Sequence, residues 1–523
     1  MVTGFRTLLL RGLTTWLLFG LTAGAGSAAA QDASSSLEGR YAGNAALGTQ
    51  PRFPIHLELR ETDGTITGTI TIPGNSFTFD APAAGDSIDA TFRGESGDGT
   101  LTLRKTDGGL SGTFSFQNQP GAMDLQPTSQ SADDLFRPRQ QNLDLSKQQW
   151  LEDLDALAEF LTRQHASPFH RVPEEVFDRQ VAELRLAISR LDGASIAIEF
   201  RKLAALIGDG HTFVEALHDR PALPIELFWF DDGIRVVGAA ISQQNLLGAR
   251  LLTISGLQAS DLVERLRPLV PQSGTPWFYR EKLPGLLRDP DALSSEGIDF
   301  SKPVPFTFET VDGAQVEAHL TPEARDADLL PFSGNLPLWL RQKQQGFWSE
   351  WIGNDAIYVN WRSYDGLSAS VTQLMQELDE KRPRKLMIDL RDNSGGDFQL
   401  GRKFLEQIRD RSWLNREGAL YVLIGRKTFS AAMTNAVDFK TTTNAILMCE
   451  PAGAAPNNWQ EVRRTYLRHS GLQVSVSTQH YEFLPGEHQV EPDHQVLPSL
   501  SDWSDPQDAC VRAVLNQPIS EAK

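Results

Sequence analysis

From Leu37 to about Gln126, apolar and polar positions alternate with a period of two. Phe53, Ile55, Leu57 and Leu59 interleave with Pro54, His56, Glu58 and Arg60. Strand-forming runs follow at Thr65–Thr71, Ser76–Phe79, Ile88–Arg93, Leu101–Arg104 and Leu110–Phe116. Asp-Gly, Pro-Gly-Asn, Gly-Asp and Asp-Gly-Gly turns separate them. Such alternation puts every second side chain on a core face, and glycine turns reverse the chain. The spacing predicts a small antiparallel meander over residues 31–128, a barrel or a sandwich. It holds no cluster of titratable groups. A spacer or partner-binding module is the reading, ahead of a ligand barrel.

Beyond a polar, proline-containing linker at 127–144 the period changes to 3.6. Trp150, Leu151, Leu154, Leu157, Ala158 and Leu161 form one stripe, with Ser146 placed to cap it. Val176, Phe177, Val181, Leu184, Ile188 and Leu191 form a second. Phe200, Leu203, Leu206 and Ile207 form a third that stops at Gly208. These stripes predict a helical block over 145–221. Strand patterns return over 222–330. Ile225–Phe230, Asp231-Asp232-Gly233 and Ile234–Val237 predict a hairpin. Leu247–Gly256, followed by helical spacing at Leu262 and Leu266, resembles the middle of a PDZ domain, with Pro268 to Lys302 as an insertion. From 346 to 515 strands and helices alternate: Ala356–Trp361, Ser368–Leu378, Leu386–Leu390, Leu400–Ile408, Leu420–Ile424, Ala431–Phe439 and Ala445–Met448. That order predicts a layered α/β domain with a mostly parallel sheet. The fold class expected is therefore multidomain, α+β and α/β together.

Composition narrows the setting. The 523-residue chain is 40% hydrophobic and 22% charged, with a formal net charge of −18. Such an acidic surface repels nucleic acid and anionic membranes, so neither is an expected partner. Arg6 and Arg11 precede or flank the apolar run Leu13–Leu21, and Ala28-Ala29-Ala30 stands before Gln31. This is the pattern of a cleavable export signal, too short for a permanent span. Its expected cut follows Ala30, giving a periplasmic or extracellular protein. Export would permit a bridge between the two cysteines, Cys449 and Cys510, although two buried thiols fit as well.

The chemistry concentrates between Lys385 and Ala432. One apolar strand ends in Arg391-Asp392-Asn393-Ser394-Gly395-Gly396, and the next ends in Thr428-Phe429-Ser430-Ala431. In a parallel sheet both endings lie at the carboxyl edge, where active sites sit. Ser430 reads as the N-cap of a helix beginning at Ala431, its hydroxyl beside unpaired N–H groups. The glycine pair can present further N–H groups without side chains in the way. A nucleophile and an oxyanion hole are built from such parts, the donors being Ala431 with Gly395 or Gly396. Asp389 and Arg391 read as a structural ion pair, and His165 and His170 as surface residues.

These residues, with Leu203-Ala-Ala-Leu-Ile-Gly-Asp-Gly-His-Thr212, resemble the serine peptidases that include C-terminal processing (tail-specific) proteases and the tricorn core. The resemblance covers roughly residues 145–515 and implies a crotonase-like catalytic core. The processing branch carries a lysine base where this chain has Ala455. The tricorn-like branch uses a histidine, which His211 matches. Its supporting acid would be Glu450 or Glu487. The expected activity is peptide-bond hydrolysis through a Ser430–His211 acyl-enzyme on a peptide or protein substrate, with no cofactor and no metal. A non-catalytic binding protein on the same fold is the rival reading, and an esterase a third. Oligomeric state is not legible in the sequence.

Overall fold

The computed structural model describes residues 37–518 apart from 48–52, 73–74, 84, 95–96, 118, 130, 133–139, 218–219, 273 and 325–327. The export-signal pattern lies outside the described residues. The alternating N-terminal segment forms eight strands from Gly39–Leu47 to Gln119–Pro127 in a closed antiparallel barrel. The first strand pairs with both the second (Gly39↔Leu59) and the last (Tyr41↔Pro127), which leaves no open edge there. Ile55, Leu57, Leu59, Ile66, Phe77, Phe79, Phe92 and Leu103 fill the interior. Gly68 and Gly99 lie under the rings of Phe79 and Phe92, where a Cβ would come within 2.0 and 2.3 Å. Only glycine admits that approach.

Three helices follow: Lys147–Gln164, Glu174–Ala187 and Gly193–Ala205. Ser146 and Gln149 cap the first reciprocally, and Asp192 caps the third. The third helix stops at Ala205, and Gly208 then takes φ +85° to turn the chain. Next comes an antiparallel sheet in the order Ile225–Phe230, Gly233–Ala239, Arg250–Ile254, Val304–Glu309 and Gln315–Leu320. The inserted segment supplies two helices, Pro276–Leu286 and Pro290–Ser294.

The C-terminal domain is built on a six-stranded sheet in the order Phe347–Ile352, Ala356–Trp361, Lys385–Asp389, Leu420–Ile424, Ile446–Cys449 and His494–Gln495. The first pairing is antiparallel and the others are parallel. Every residue of Ala356–Trp361, Lys385–Asp389 and Leu420–Ile424 is buried. This explains their continuous apolar runs: helices cover both faces. Helices Leu367–Lys381, Phe398–Arg409 and Ser430–Thr442 pack on one side. Ala509–Asn516 packs on the other, against Met387, Tyr421 and Leu423. Lys385 holds that last helix by its end, donating to the carbonyls of Val514, Leu515 and Gln517 at 2.7–2.8 Å. No helix among the described residues is long and apolar enough to cross a membrane.

A hairpin, Asn457–Tyr466 with Gln473–Glu482, leaves the sheet and takes Phe213–Val214 as a third strand (Val474↔Val214, Ser475↔Phe213). Asp153 of the first helix accepts from the amides of His469 and Ser470 at 3.1 and 2.7 Å, which pins the hairpin to the helical block.

The question of the cysteines is closed in favour of a bridge: Cys449 and Cys510 form a disulfide across 61 residues of chain. It ties a strand end to the last helix. Replacing both cysteines with alanine should lower the stability of this domain by about 2–4 kcal/mol. The measurement is the shift in its denaturant midpoint under non-reducing conditions, and an unchanged midpoint would contradict the pairing.

Candidate active site

The two strand ends meet in a tightly crossed loop pair. Asn393 is fully buried and makes four contacts. Its amide donates to Leu390 O, its side-chain Nδ2 to Trp361 O, and its Oδ1 accepts from Gly395 N–H at 2.9 Å. Its carbonyl accepts from Phe429 N–H at 3.2 Å, which draws the second loop onto the first. Thr428 completes the clamp. Its hydroxyl donates to Leu390 O at 2.8 Å and accepts from Gly425 N–H at 3.0 Å. Gly395 has φ +114°, and a Cβ there would lie 2.6 Å from Ser430 Cβ and 3.1 Å from Ala431 N. A Cβ on Gly396 would strike the ring of Tyr364 at 2.5 Å. Both glycines are therefore required by close approach, beyond any turn they make.

Ser430 is not the N-cap expected. Phe429 takes that position, and Ser430 opens the helix with φ +49°, a left-handed conformation that costs a non-glycine residue roughly 1–2 kcal/mol. Its hydroxyl has no hydrogen-bond partner among the described residues. The oxyanion donors narrow as well. The Gly395 amide is engaged by Asn393, so the N–H groups without a partner among the described residues are those of Gly396 and Ala431.

His211 is brought to this loop from the helical block. Its ring centroid lies 4.5 Å from that of Phe429, the residue before Ser430. The ring is buried, and its Nε2 has no hydrogen-bond partner among the described residues. The backbone of Trp459 on the hairpin acts on the ring to favour its protonated form. Burial lowers the pKa of His211 below the ordinary histidine value. The charge of Asp209 and the Trp459 backbone oppose that shift without overcoming it. No hydrogen bond joins His211 Nε2 to Ser430 Oγ.

The two acids expected beside His211 are elsewhere. Glu450 is buried and paired with Arg426, at 2.5 and 3.1 Å. Arg426 also donates to the carbonyl of Trp229, so this pair staples the sheet to the antiparallel sheet that begins with Ile225–Phe230. Glu487 is exposed in the loop after the hairpin, where its carbonyl accepts from Asn457. The first was placed by proximity in sequence and the second by the family resemblance, neither of which reveals that Arg426 claims the first and that the second points to solvent. Ala455 is buried, with Gly274 of the inserted segment packed close to its methyl. Asp389 and Arg391 form the expected pair at 2.6 Å, extended by Asp508.

The carboxylate that does lie near His211 is Asp209. It is buried, and its Oδ1 accepts from the His211 amide and from Ser477 Oγ, each at 2.7 Å. His165, read from sequence as a surface residue, is buried and sits 2.9 Å from Asp209 Oδ2 through its Nε2. Burial works to raise the Asp209 pKa, but hydrogen bonds from His165 and Thr212 and the nearby His211 leave it below the ordinary carboxylate value. His170 is exposed as read, stacks on His165 and lies tilted against Trp459. The Asp209 signal was present in Gly-Asp-Gly-His, but nothing in sequence connects it to His165 or Ser477. A cavity of about 470 Å³ opens at the same strand ends, lined in part by Phe228, Glu281, Trp339, Arg426, Glu450 and Trp503; Ser430 and His211 do not line it.

Three stability outcomes follow from these placements. Ser430→Gly should be more stable than Ser430→Ala by about 1 kcal/mol, because glycine relieves the positive φ. Paired denaturation curves would show it, and equal midpoints would mean the backbone there is unstrained. Glu450→Ala should cost about 3–5 kcal/mol by leaving Arg426 buried without its partner. Glu487→Ala should stay within about 0.5 kcal/mol of the parent.

No family model and no curated protein matches this chain. Solved structures do. The chain is similar to mature CPAF complexed with lactacystin, at 13% identity over 68% of this chain and 95% of that one, with a TM-score of 0.49. It is similar to the photosystem II D1 C-terminal processing protease, at 14% identity over 67% and 92%, with a TM-score of 0.33. It is similar to the tricorn protease, at 11% identity over 88% of this chain and 46% of that one, with a TM-score of 0.36.

Proposed function

We propose that this chain is a serine peptidase in which Ser430 is the nucleophile and His211 the base. The observation that carries the reading is the unpartnered, buried Nε2 of His211, held on Phe429 beside a strained, unpartnered Ser430. A buried imidazole nitrogen with no partner is costly unless it has a task. In the mechanism Nε2 takes the Ser430 proton as Oγ bonds to the carbonyl carbon of the substrate. The resulting oxyanion is held by the N–H groups of Gly396 and Ala431, each worth roughly 3–4 kcal/mol when aligned. Protonated His211 gives its proton to the departing amine, the C–N bond breaks, and an ester to Ser430 remains. Water, deprotonated by the same Nε2, releases the acid and restores the hydroxyl.

The missing hydrogen bond between Ser430 and His211 favours a second reading, a binding protein that presents the same cleft without turnover. Loose geometry before substrate arrives is common among such pairs and does not decide between them. Export is part of the proposal, supported by the leader pattern at Arg6–Ala30 and by the disulfide, which persists in oxidising compartments.

A fluorophosphonate probe should add one adduct to the mature protein, on the peptide that contains Ser430, and none to Ser430→Ala. His211→Ala should reduce turnover by roughly four to six orders of magnitude while the protein stays folded. No adduct under conditions that label a control hydrolase would favour the binding protein. The base must be neutral to accept a proton, and burial lowers its pKa. Activity should therefore rise with pH through a midpoint below about 6.5, the ordinary histidine value. A midpoint above that value would exclude His211 in the environment described.

A further inference from the structure

We infer that Asp209, held by His165 and Ser477, is a positioning residue that supports His211 from behind, in place of a carboxylate on the ring. This rests on the reading of His211 as base and names what sustains it.

The argument begins with the protonation of His165. Its Nδ1 accepts from Ser167 N–H at 3.0 Å, so that nitrogen carries no proton. Its Nε2, 2.9 Å from Asp209 Oδ2, must then be the N–H donor. His165 is neutral and does not cancel the charge of Asp209. Among the described residues no lysine or arginine forms an ion pair with Asp209 either. Its negative charge is met by dipoles alone: His165 Nε2–H, Ser477 O–H, the His211 amide and the Thr212 side chain.

A buried carboxylate satisfied only by dipoles keeps its field. The ring whose proton affinity Asp209 raises is that of His211, two residues on. Among the described residues that ring has no carboxylate partner, and its Nε2 has no hydrogen-bond partner. The support a triad acid gives is thus shared. The Trp459 backbone favours a proton on the ring, and Asp209 stabilises the imidazolium formed when the serine proton arrives.

The same unit sets position. Asp209 Oδ1 grips the His211 backbone, while Ser477 belongs to the strand that pairs with Phe213–Val214. Trp459 is wedged against His165, His170 and His480, at 5.2, 5.0 and 4.6 Å between ring centroids. The other charged groups acting here are Arg464, which lowers the proton affinity of His211, and Arg171, which does the same to His170.

The test reads His211 directly and needs no activity. In the Ser430→Ala protein, labelled with ¹³C at histidine Cε1, the His211 resonance is assigned by His211→Gln and titrated. Removing the negative charge disfavours the protonated ring. Asp209→Asn should therefore lower the His211 midpoint by about one unit, with the disulfide and fold retained. An unchanged or raised midpoint in the folded variant overturns the inference. If Asp209→Asn does not fold, Ser477→Ala decides. Loss of one dipole from Oδ1 leaves the Asp209 field less screened, so the midpoint should rise, and an unchanged or lowered midpoint overturns the inference. In the active chain, Asp209→Asn should move the acidic limb of kcat/KM downward and reduce kcat at nearly constant KM. Because the titration is made without the nucleophile, a chain that proves inactive removes the proposed function and leaves the coupling of Asp209 to His211 to be judged on its own result.

Discussion

The arrangement depends on a short antiparallel pairing, Phe213–Val214 against Val474–Ser475. Two residues of strand are little on their own. They are reinforced by Ser477, which donates its hydroxyl to Asp209 and its amide to Thr212 Oγ1 at 3.1 Å. Asp153 adds two further bonds from the first helix to the same hairpin. These polar contacts are buried, so each broken one would leave a donor or acceptor without water to replace it. That asymmetry makes the register of the junction specific. It fixes where His211 can stand relative to a serine on a separate domain.

The other half of the site is held by sterics more than by bonds. Gly395 and Gly396 let one loop lie on the next at distances no side chain would allow, and Asn393 and Thr428 lock the crossing. Strain then collects at Ser430, whose positive φ is maintained by the buried helix behind it, including Ala431, Ala432 and Met433. Strained backbone persists only where surrounding packing over-determines it. In this domain the sheet and its three covering helices supply that packing, and the Arg426–Glu450 pair joins it to the antiparallel sheet that begins with Ile225–Phe230.

Much of this was legible beforehand, unevenly. The barrel was visible as alternation and turns because a two-residue period is a local property of strands with one buried face. Its closure was not, since that depends on Gly39–Leu47 meeting Gln119–Pro127 across the whole segment. The parallel core was visible because strands covered on both faces must be apolar throughout. Ser430 and the glycine pair stood out at strand ends. The supporting acid did not: Glu450 was chosen by its closeness in sequence to the nucleophile and Glu487 by the family resemblance, and Arg426 and solvent had prior claims on them. His165 was misread for the same reason, since a histidine in a loop gives no local sign that Asp209 will enclose it.

The sequence by itself determined the elements, their order and the strand ends on which a serine and two glycines would stand, because periodicity and turn chemistry act over a few residues. Only the tertiary structure decided which donors remain unpaired, that Cys449 and Cys510 are bridged, and which carboxylate faces His211. These are matters of contact between residues far apart in the chain. Hydrogen bonds and charges act within a few ångströms in space, and distance along the sequence does not measure that.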